Sequence, residues 1–399
     1  MNVFVGLSGG VDSSVAAALL QKEGHVVHGV YLKVWSPDLE DLMQGCPWEE
    51  DVQYASATAK HLGISFSVWD VSKEYYDKVV SYFFAEYKAG RTPNPDIMCN
   101  REIKFGIFLK RACAEGADMI ATGHYVRKYN SPLPPLTLRG EVPPLKVSHR
   151  LWRDPASIKN NSGGEGGEEG LLCAVDKNKD QSYFLYSLSQ KQLRHALFPI
   201  GEYTKPEVRA MAKEWGLPTA NRKDSQGLCF LGKISVRDFL KTRLPPREGD
   251  LVTADGKVVG KHEGAQYFTI GQRHGIGSPG GGTPYFVVSK DIQKNKVTVA
   301  KGKDDAALYQ KEMQLENVHW ISNEASAFPL DCMTRIRYRQ PLQEAKIDFS
   351  PLSKGDATCL PAGREGVTVT FKQPQRAITS GQACVFYQGE HMLGGGVIR

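Results

Sequence analysis

Short apolar runs alternate with amphipathic segments along the first 125 residues. The apolar runs predict strands at residues 3–7, 25–32, 64–69 and 117–121. Apolar positions at helical spacing predict helices at residues 11–22, 52–62, 73–88 and 103–114. Because strands that alternate with helices are typical of βαβ units, this region predicts a parallel sheet with helices on its faces. Ligands of such sheets bind beyond the carboxyl ends of the strands.

The pattern changes after residue 130. Prolines crowd the first half of residues 131–170, and a Gly- and Glu-rich tract fills the second half, so we expect a flexible insertion there. A short amphipathic helix is predicted at residues 205–214, with Pro206 in its first turn. Beyond residue 232, glycine turns separate short apolar runs, which favours a small barrel or sandwich. The predicted strands there include residues 285–288, 296–300, 334–338, 367–371 and 383–387.

The composition is that of a globular protein. Of the 399 residues, 41% are hydrophobic and 24% are charged, which excludes a wholly disordered or collagen-like chain. The net charge of +6 permits an anionic partner without requiring one. No apolar run is long enough to span a membrane, and the first residues resemble a core strand more than a secretory signal. We therefore expect a cytoplasmic protein whose eight cysteines are mostly free thiols.

The motif with the clearest chemistry is residues 8–14, Ser-Gly-Gly-Val-Asp-Ser-Ser, between the first predicted strand and helix. Gly9 and Gly10 let backbone N–H groups turn towards an anion, and the following helix directs its positive end at the same place. Asp12 would repel a phosphate, so we assign it to Mg²⁺. No Gly-Lys-Ser/Thr follows, which excludes the Walker pattern.

Two cysteines stand in segments suited to reactive thiols. Cys99 follows the stiff Thr92–Asp96 stretch and precedes the helix predicted from residue 103, with Arg101 and Lys104 nearby. Cys229 follows a basic, Gly-containing segment. Taken alone, a cysteine in either segment is more often a small buried hydrophobic residue than a reactive thiol. The remaining cysteines show no C-x-x-C spacing, which argues against a zinc site or an iron–sulfur cluster.

Taken together, these segments resemble the bacterial tRNA-uridine 2-sulfurtransferases of the PP-loop ATP pyrophosphatase superfamily. The resemblance covers nearly the whole chain and several motifs in the same order. The matching motifs are residues 8–14, 92–100, 121–125, 179–183, 223–229 and 269–273. The resemblance implies an α/β PP-loop domain with an adenine nucleotide hydrolase-like parallel sheet (1–232), a small central domain (233–283) and a C-terminal β-barrel that contacts tRNA (284–399).

The resemblance also implies an activity. ATP would adenylate the C2 oxygen of the wobble uridine (U34) of tRNA, and a cysteine persulfide would supply sulfur, with release of AMP and pyrophosphate. ATP and Mg²⁺ are the implied cofactors. The implied partners are tRNA and a sulfur-donor protein, either a sulfur relay protein or a cysteine desulfurase, and we expect a monomer.

Residue roles follow from matching positions. Cys99 would be the nucleophile, Cys229 the persulfide carrier, with a transient disulfide between them, and Asp96 the acid or base. The implied ATP-binding residues are Gly6, Leu7, Ser8, Gly9, Gly10, Val11, Asp12, Ser13, Leu32 and Gly123. The implied contacts with the target base and the tRNA are Asn94, Pro95, Asp96, His124, Lys179, Asp180, Gln181, Arg337, Tyr338 and Gln382.

One further RNA feature comes from periodicity. Arg335, Arg337 and Arg339 alternate, so on the strand predicted at 334–338 they would share a face and form a basic ladder. Such a ladder is equally compatible with a solvated barrel face.

Two other classes of function remain open from the residues. A PP-loop ligase or amidotransferase for a small metabolite needs the phosphate loop but neither Cys99 nor Cys229. A noncatalytic RNA-binding protein with a relic nucleotide site needs neither Asp12 nor the thiols. A requirement for tRNA in pyrophosphate release distinguishes these classes from the sulfurtransferase.

Overall fold

The structure, a computed structural model, describes residues 1–34, 48–131, 168–223, 234–276, 282–322, 328–349 and 366–399. Its N-terminal sheet contains β1 (Asn2–Gly6), β2 (Val26–Lys33), β3 (Ser65–Asp70), β4 (Met119–Ala121) and β7 (Ala196–Leu197). The strands are parallel in the order β3-β2-β1-β4-β7. The predicted parallel α/β sheet is therefore confirmed.

Helices connect these strands. They are α1 (Val11–Lys22), α2 (Trp48–Leu62), α3 (Ser72–Tyr75), α4 (Ser81–Lys88), α5 (Pro95–Met98) and α6 (Leu109–Ala114). A π-helical segment, Tyr76–Val80, joins α3 to α4, and a second, Cys99–Phe108, joins α5 to α6. The helix predicted from residue 103 thus begins at Pro95, because Asn94 caps it and proline suits the first helical position.

A hairpin and two further helices complete the N-terminal domain. The hairpin pairs β5 (Val126–Ser131) with β6 (Glu168–Cys173), and the helices are α7 (Gln190–Arg194) and α8 (Lys205–Glu214). Both ends of the predicted 131–170 insertion are therefore strand residues. Residues 132–167, the rest of that insertion, lie outside the described residues.

A closed barrel of six strands forms the C-terminal part and confirms the predicted β-barrel. Its strands are β12 (Tyr309–Trp320), β13 (Leu330–Arg335), β14 (Gln343–Phe349), β15 (Val367–Arg376), β16 (Ala383–Gln388) and β17 (His391–Ile398). They follow the order β12-β15-β14-β13-β16-β17, and β17 pairs back with β12. Because β6 also pairs with β17, the N-terminal hairpin extends the barrel sheet.

A third, smaller sheet lies between these two parts in the chain. It contains β8 (Gly249–Val252), β9 (Val258–His262), β10 (Tyr285–Asp291) and β11 (Lys296–Lys301), and α9 (Val236–Lys241) precedes it. The order is β10-β11-β8-β9. The predicted strands at 285–288 and 296–300, expected in the barrel, thus belong to this central sheet, because β11 pairs in parallel with β8.

The N-terminal domain and the barrel share one hydrophobic core. Buried Phe105 and Tyr183 of the N-terminal domain belong to the same cluster as Val385 and Tyr387 of the barrel. The hydroxyl of Tyr183 donates to the carbonyl oxygen of Ala383 at 2.9 Å. This continuous packing fixes the position of the barrel relative to the carboxyl edge of the parallel sheet.

Candidate active site

The loop between β1 and α1 has the geometry of an anion site. Gly9 adopts φ +74°, and a Cβ atom there would lie 2.3 Å from the carbonyl oxygen of Asp51, so only glycine fits. Gly10 caps α1 without a side-chain hydrogen bond, which leaves the first-turn N–H groups of the helix without a side-chain acceptor there. Phosphate oxygens suit such a helix start.

The serines of this loop differ in their surroundings. Ser8 is exposed, and its hydroxyl lies 3.2 Å from that of Ser13. Ser13 is buried, and its hydroxyl donates to the carbonyl oxygen of Gly10 and accepts from the N–H of Ser8, both at 3.1 Å. Ser14 is fully buried and donates to the same Gly10 oxygen at 2.9 Å. The hydroxyl groups of Ser8 and Ser13 therefore contact each other within the loop, whereas the buried hydroxyl of Ser14 stabilises the loop from the protein interior.

The other residues expected to bind ATP surround this loop at the carboxyl edge of the sheet. Gly123 follows β4, and a Cβ atom there would lie 2.7 Å from the backbone nitrogen of Ser13. Leu32 is half-buried near the end of β2. Gly6 ends β1, and Leu7 is buried in the core, so the part of Leu7 nearest the loop is its backbone.

Asp12 does not face open solvent as a free carboxylate. The ammonium group of Lys205 donates to its Oδ1 at 2.8 Å and to its Oδ2 at 2.9 Å, and the hydroxyl of Tyr125 donates to Oδ1 at 2.8 Å. Lys205 is the first residue of α8, and its side chain is only 9% exposed. Because the ammonium group already contacts both oxygens, this arrangement does not fit a direct bond between Asp12 and Mg²⁺.

Within the described ranges, no group of three or more histidine, cysteine or acidic side chains is arranged to hold a metal ion. Lys205 and Tyr125 carried no signal in the sequence that linked them to Asp12, since both lie more than 100 residues from it.

The segment from Thr92 to Cys99 forms a second part of the site. Asn94 accepts a hydrogen bond from the N–H of Ile97 at 3.4 Å and so caps α5, whose first residue is Pro95. Asp96 is half-buried in the first turn of α5, and this burial raises the pKa of its carboxyl group, while the nearby charge of Lys104 lowers it by less. A carboxyl group with a raised pKa suits proton transfer near neutral pH.

Cys99 is a buried cysteine at the point where α5 becomes π-helical, and it forms no disulfide with another described cysteine. It lies in an apolar cluster with Phe83 and Ile103. Phe239 and Tyr267 of the central module, which comprises α9, the β10-β11-β8-β9 sheet and the described residues between them, contribute to the same cluster. Because the helix begins at Pro95, Cys99 is not in its first turn. Arg101, expected beside the thiol, makes an ion pair with Glu102 at 2.9 Å.

Cys229 lies outside the described residues, as does the rest of its segment at 224–233. The last described residues before that segment contact the phosphate loop. Arg222 donates to the carbonyl oxygen of Gly9 at 2.7 Å and makes an ion pair with Asp51. The predicted pairing of Cys99 with Cys229 therefore stays a prediction.

The residues expected to contact tRNA in the N-terminal domain are largely engaged within the protein. His124 is buried beside Phe105, bonds Thr122 at 2.8 Å, and burial holds its pKa well below the usual value. Asp180 is buried and makes an ion pair with Arg335 of the barrel at 3.0 Å. Gln181 accepts from the N–H of Tyr125 at 2.9 Å, and Lys179 is half-buried.

The residues expected to contact tRNA in the barrel also lie at the junction with the N-terminal domain. The ring of Tyr338 packs against Phe184 at 4.6 Å, and Arg337 donates to the carbonyl oxygen of Arg376 at 2.9 Å. Gln382 donates to the carbonyl oxygen of Thr92 at 2.8 Å.

The predicted ladder of three arginines on one strand is wrong. Strand β13 ends at Arg335, and the chain then turns, with Arg339 at φ +63° and a hydrogen bond from the N–H of Gln340 to the carbonyl oxygen of Arg337 at 3.1 Å. The alternation of side chains therefore does not continue to Arg339.

A helix that spans a membrane must be both long and apolar. In the part of the chain that the structure describes, none is both long and apolar enough to cross a bilayer.

Three family models match consecutive parts of the sequence. They are described as the tRNA methyl transferase HUP domain, which matches residues 1–233, the tRNA methyl transferase PRC-barrel domain, which matches 237–301, and the aminomethyltransferase beta-barrel domain, which matches 310–398.

Similarity to curated proteins extends over the full length. The tRNA-specific 2-thiouridylase MnmA 2 of Geobacillus kaustophilus is 43% identical over 396 residues, which cover 99% of this chain and 94% of that protein. The tRNA-specific 2-thiouridylase MnmA of Halalkalibacterium halodurans has the same identity and coverage, and that of Pseudomonas paraeruginosa is 42% identical over 400 residues, 99% of this chain and 94% of that protein. The chain therefore belongs to the family of tRNA-specific 2-thiouridylases.

Proposed function

We propose that the chain uses ATP to convert the wobble uridine (U34) of tRNA into 2-thiouridine. The observation that carries this proposal is the identity of 42–43% to 2-thiouridylases over essentially the whole chain. The geometry is compatible with it, because a phosphate loop stands at the carboxyl edge of a parallel sheet and a capped segment with Asp96 and Cys99 belongs to the same domain.

In the first step, the C2 oxygen of uracil attacks the α-phosphate of ATP, and pyrophosphate leaves. The C2 oxygen, a poor leaving group by itself, can then leave as part of AMP. The loop of Ser8–Ser13 holds the β- and γ-phosphates through its N–H groups and the start of α1, while Gly123 leaves room for the nucleotide and Leu32 packs against the adenine. Mg²⁺ accompanies ATP as its counterion.

The base is held beside Asn94, Pro95 and Asp96. Adenylation of O2 releases the proton of N3, and Asp96 accepts it and returns it when the product forms. General acid–base catalysis of this kind contributes on the order of 10²–10⁴-fold. A wobble base is already single-stranded, so moving it into the site requires little free energy.

Sulfur then replaces the adenylate oxygen. Cys229 carries a persulfide, and the thiolate of Cys99 attacks the Cys229 sulfur, which releases hydrosulfide to C2 while a Cys99–Cys229 disulfide forms. AMP leaves with the original oxygen, the proton brought by the hydrosulfide passes to water, and an external thiol reductant restores both cysteines. Lys179, Gln181, Arg337 and Tyr338 contact tRNA at the junction of the N-terminal domain and the barrel, around buried His124 and Asp180.

The experiment that tests this function measures nucleosides and pyrophosphate together. Purified protein is incubated with ATP, Mg²⁺, a cysteine desulfurase with cysteine as the source of persulfide sulfur, a thiol reductant, and either unmodified tRNA or no RNA. We expect 2-thiouridine by mass spectrometry and pyrophosphate release only with tRNA. Release of pyrophosphate without RNA, and no 2-thiouridine, would indicate a ligase for a small metabolite instead.

A variant separates sulfur transfer from RNA binding. Cys229→Ser should abolish 2-thiouridine formation and leave the Kd for tRNA within roughly threefold, since a hydroxyl cannot carry sulfur. Cys113→Ser is the matched control, because Cys113 is an exposed free thiol on α6 and has no assigned role. Full activity of Cys229→Ser would remove Cys229 from the mechanism.

A further inference from the structure

The segment that leads into the proposed base site is bound to a loop of the barrel that is distant in sequence. The side-chain amide of Gln382 donates to the carbonyl oxygen of Thr92 at 2.8 Å and to that of Pro93 at 3.2 Å. In return, the N–H of Thr92 donates to the carbonyl oxygen of Ser380 at 2.8 Å. Three hydrogen bonds thus join two consecutive residues of the segment to one loop.

The barrel side of this contact is rigid. The N–H of Gly381 donates to the carbonyl oxygen of Ile398, and the N–H of Ile398 donates to that of Gln382, both at 2.8 Å. Gly381 adopts φ +88°, and a Cβ atom there would lie 2.9 Å from both the nitrogen and the oxygen of Thr92. The loop is therefore fixed to the last strand of a closed barrel and approaches Thr92 as closely as glycine allows.

The central module holds the same segment from another side. The hydroxyl groups of Thr92 and Thr269 lie 3.3 Å apart. Gly90 packs so closely on the central module that a Cβ atom there would lie 2.5 Å from Cγ1 of Ile292. Residues 90–93 are thus held between the central module and the barrel.

The residues with proposed chemistry come directly after this held segment. Asn94 caps α5, Asp96 lies in its first turn, and Cys99 opens the π-helical segment. We propose that Gln382 is a positioning residue for the reaction: by binding the carbonyl oxygens of Thr92 and Pro93, it sets where Asn94, Asp96 and Cys99 stand relative to the base. This proposal rests on the proposed function of that segment.

An amide is suited to this task. The oxygens of Thr92 and Pro93 belong to buried residues, and buried carbonyl oxygens require donors. The side-chain nitrogen of Gln382 reaches both oxygens from one loop, so loss of this donor leaves two neighbouring carbonyl oxygens without it at the same time. A displacement of about 1 Å at a reacting group lowers the rate on the order of a hundredfold.

The test replaces Gln382 with methionine, which keeps the length of the side chain and removes the donor. The matched control is Gln375→Met, because the amide of buried Gln375 makes its hydrogen bonds within the barrel: it donates to the carbonyl oxygen of Gln373 at 2.9 Å and to the side chain of Gln343 at 3.2 Å, and it accepts from Gln340 at 3.1 Å. For each protein, kcat, KM for ATP, Kd for tRNA and hydrogen–deuterium exchange of the peptide 92–99 are measured.

For Gln382→Met we expect kcat to fall on the order of ten- to a hundredfold. KM for ATP and Kd for tRNA should stay within roughly threefold of the wild-type values. Hydrogen–deuterium exchange of residues 92–99 should accelerate, because this segment opens more readily without the hydrogen bonds from Gln382. Gln375→Met should keep the wild-type kcat and exchange of residues 92–99. If the methionine variant does not fold, Gln382→Asn, whose amide is one methylene too short, should show the same loss.

Two outcomes would overturn the proposal. One is a normal kcat in Gln382→Met; the other is a loss confined to tRNA affinity with unchanged exchange, which would make Gln382 an RNA contact only. The variant Cys99→Ser distinguishes a failure of the positioning role of Gln382 from a failure of the proposed function. If Cys99→Ser still forms 2-thiouridine, the proposed role of the segment fails; if it is inactive while Gln382→Met is normal, only the positioning role fails.

Discussion

The ion pair between Asp12 and Lys205 makes a sharp prediction about the phosphate loop. Asp12 places a negative charge where a triphosphate is expected to bind, and Lys205 contacts both of its oxygens, at 2.8 and 2.9 Å. We predict that Lys205→Met both destabilises the fold and weakens ATP binding, because it leaves the Asp12 carboxylate uncompensated. Asp12→Asn in the same protein should reverse a large part of both effects.

The magnitude follows from the separation and the exposure of the charges. At 2.8 Å and an effective dielectric constant of about 20, two unit charges attract by about 6 kcal/mol, and desolvation of the ammonium group offsets much of this. Removing one partner of a fully buried pair costs about 3–5 kcal/mol. Because the Asp12 side chain is 32% exposed, we expect a smaller loss of unfolding free energy for Lys205→Met, about 2 kcal/mol.

A double-mutant cycle measures this coupling. Urea unfolding and ATP affinity are determined for the wild-type protein, both single variants and Asp12→Asn/Lys205→Met. We expect ATP to bind on the order of tenfold more weakly to Lys205→Met and within roughly threefold of wild type to the double variant, with a coupling free energy of about 1–3 kcal/mol. Lys128→Met is the matched control, since Lys128 makes a buried ion pair with Glu169 at 3.4 Å; it should lose stability and keep its ATP affinity.

Direct coordination of Mg²⁺ by Asp12 predicts a different result. If Asp12 ligates Mg²⁺ directly, Asp12→Asn should weaken ATP binding to the same extent with and without Lys205, and the loss should grow with the Mg²⁺ concentration. That pattern, or a coupling free energy below about 0.5 kcal/mol, would show that the ion pair does not govern the loop.

Three further predictions concern other parts of the site. Asp96→Asn should stabilise the fold at neutral pH, because burial raises the pKa of the Asp96 carboxyl group and so makes its ionised form unfavourable in the folded protein. In thermal unfolding, the Tm of the variant should exceed that of the wild type as pH rises above 3.8, the ordinary pKa, and the difference should vanish below it. Equal Tm values at all pH values would contradict this prediction. Gly123→Ala should weaken ATP binding on the order of tenfold, measured by calorimetry, because its Cβ would lie 2.7 Å from the nitrogen of Ser13; unchanged affinity would place the nucleotide elsewhere. Arg335→Met should lower the unfolding free energy by about 3 kcal/mol in urea titrations, since it removes the cation beside the buried Asp180 carboxylate, which keeps only the hydrogen bonds from Ala174 and Ser182. Asp180→Asn added to it should recover part of that loss, and additive losses would mean that the pair is not coupled.

Several features of this protein are determined by short stretches of sequence. The phosphate loop stands between a strand and a helix because its glycines, serines and apolar flanks all act within about ten residues. Helices α1 and α8 have the predicted bounds for the same reason. The earlier start of the helix before Cys99 is also local, since Asn94 and Pro95 form a common start signal, although the two prolines by themselves predict only a stiff loop.

The tertiary structure decided which distant groups meet. Lys205 reaches Asp12, Arg335 reaches Asp180, and Gln382 reaches Thr92 across 155 to 290 residues of chain. It likewise decided that β10 and β11 join the central sheet and that a hairpin of the N-terminal domain extends the barrel. Side-chain periodicity tells which face of an element is apolar, but not which other element covers it. That choice depends on the packing of the whole chain, because hydrogen bonds and ion pairs between distant residues form only after the hydrophobic cores have brought their elements together.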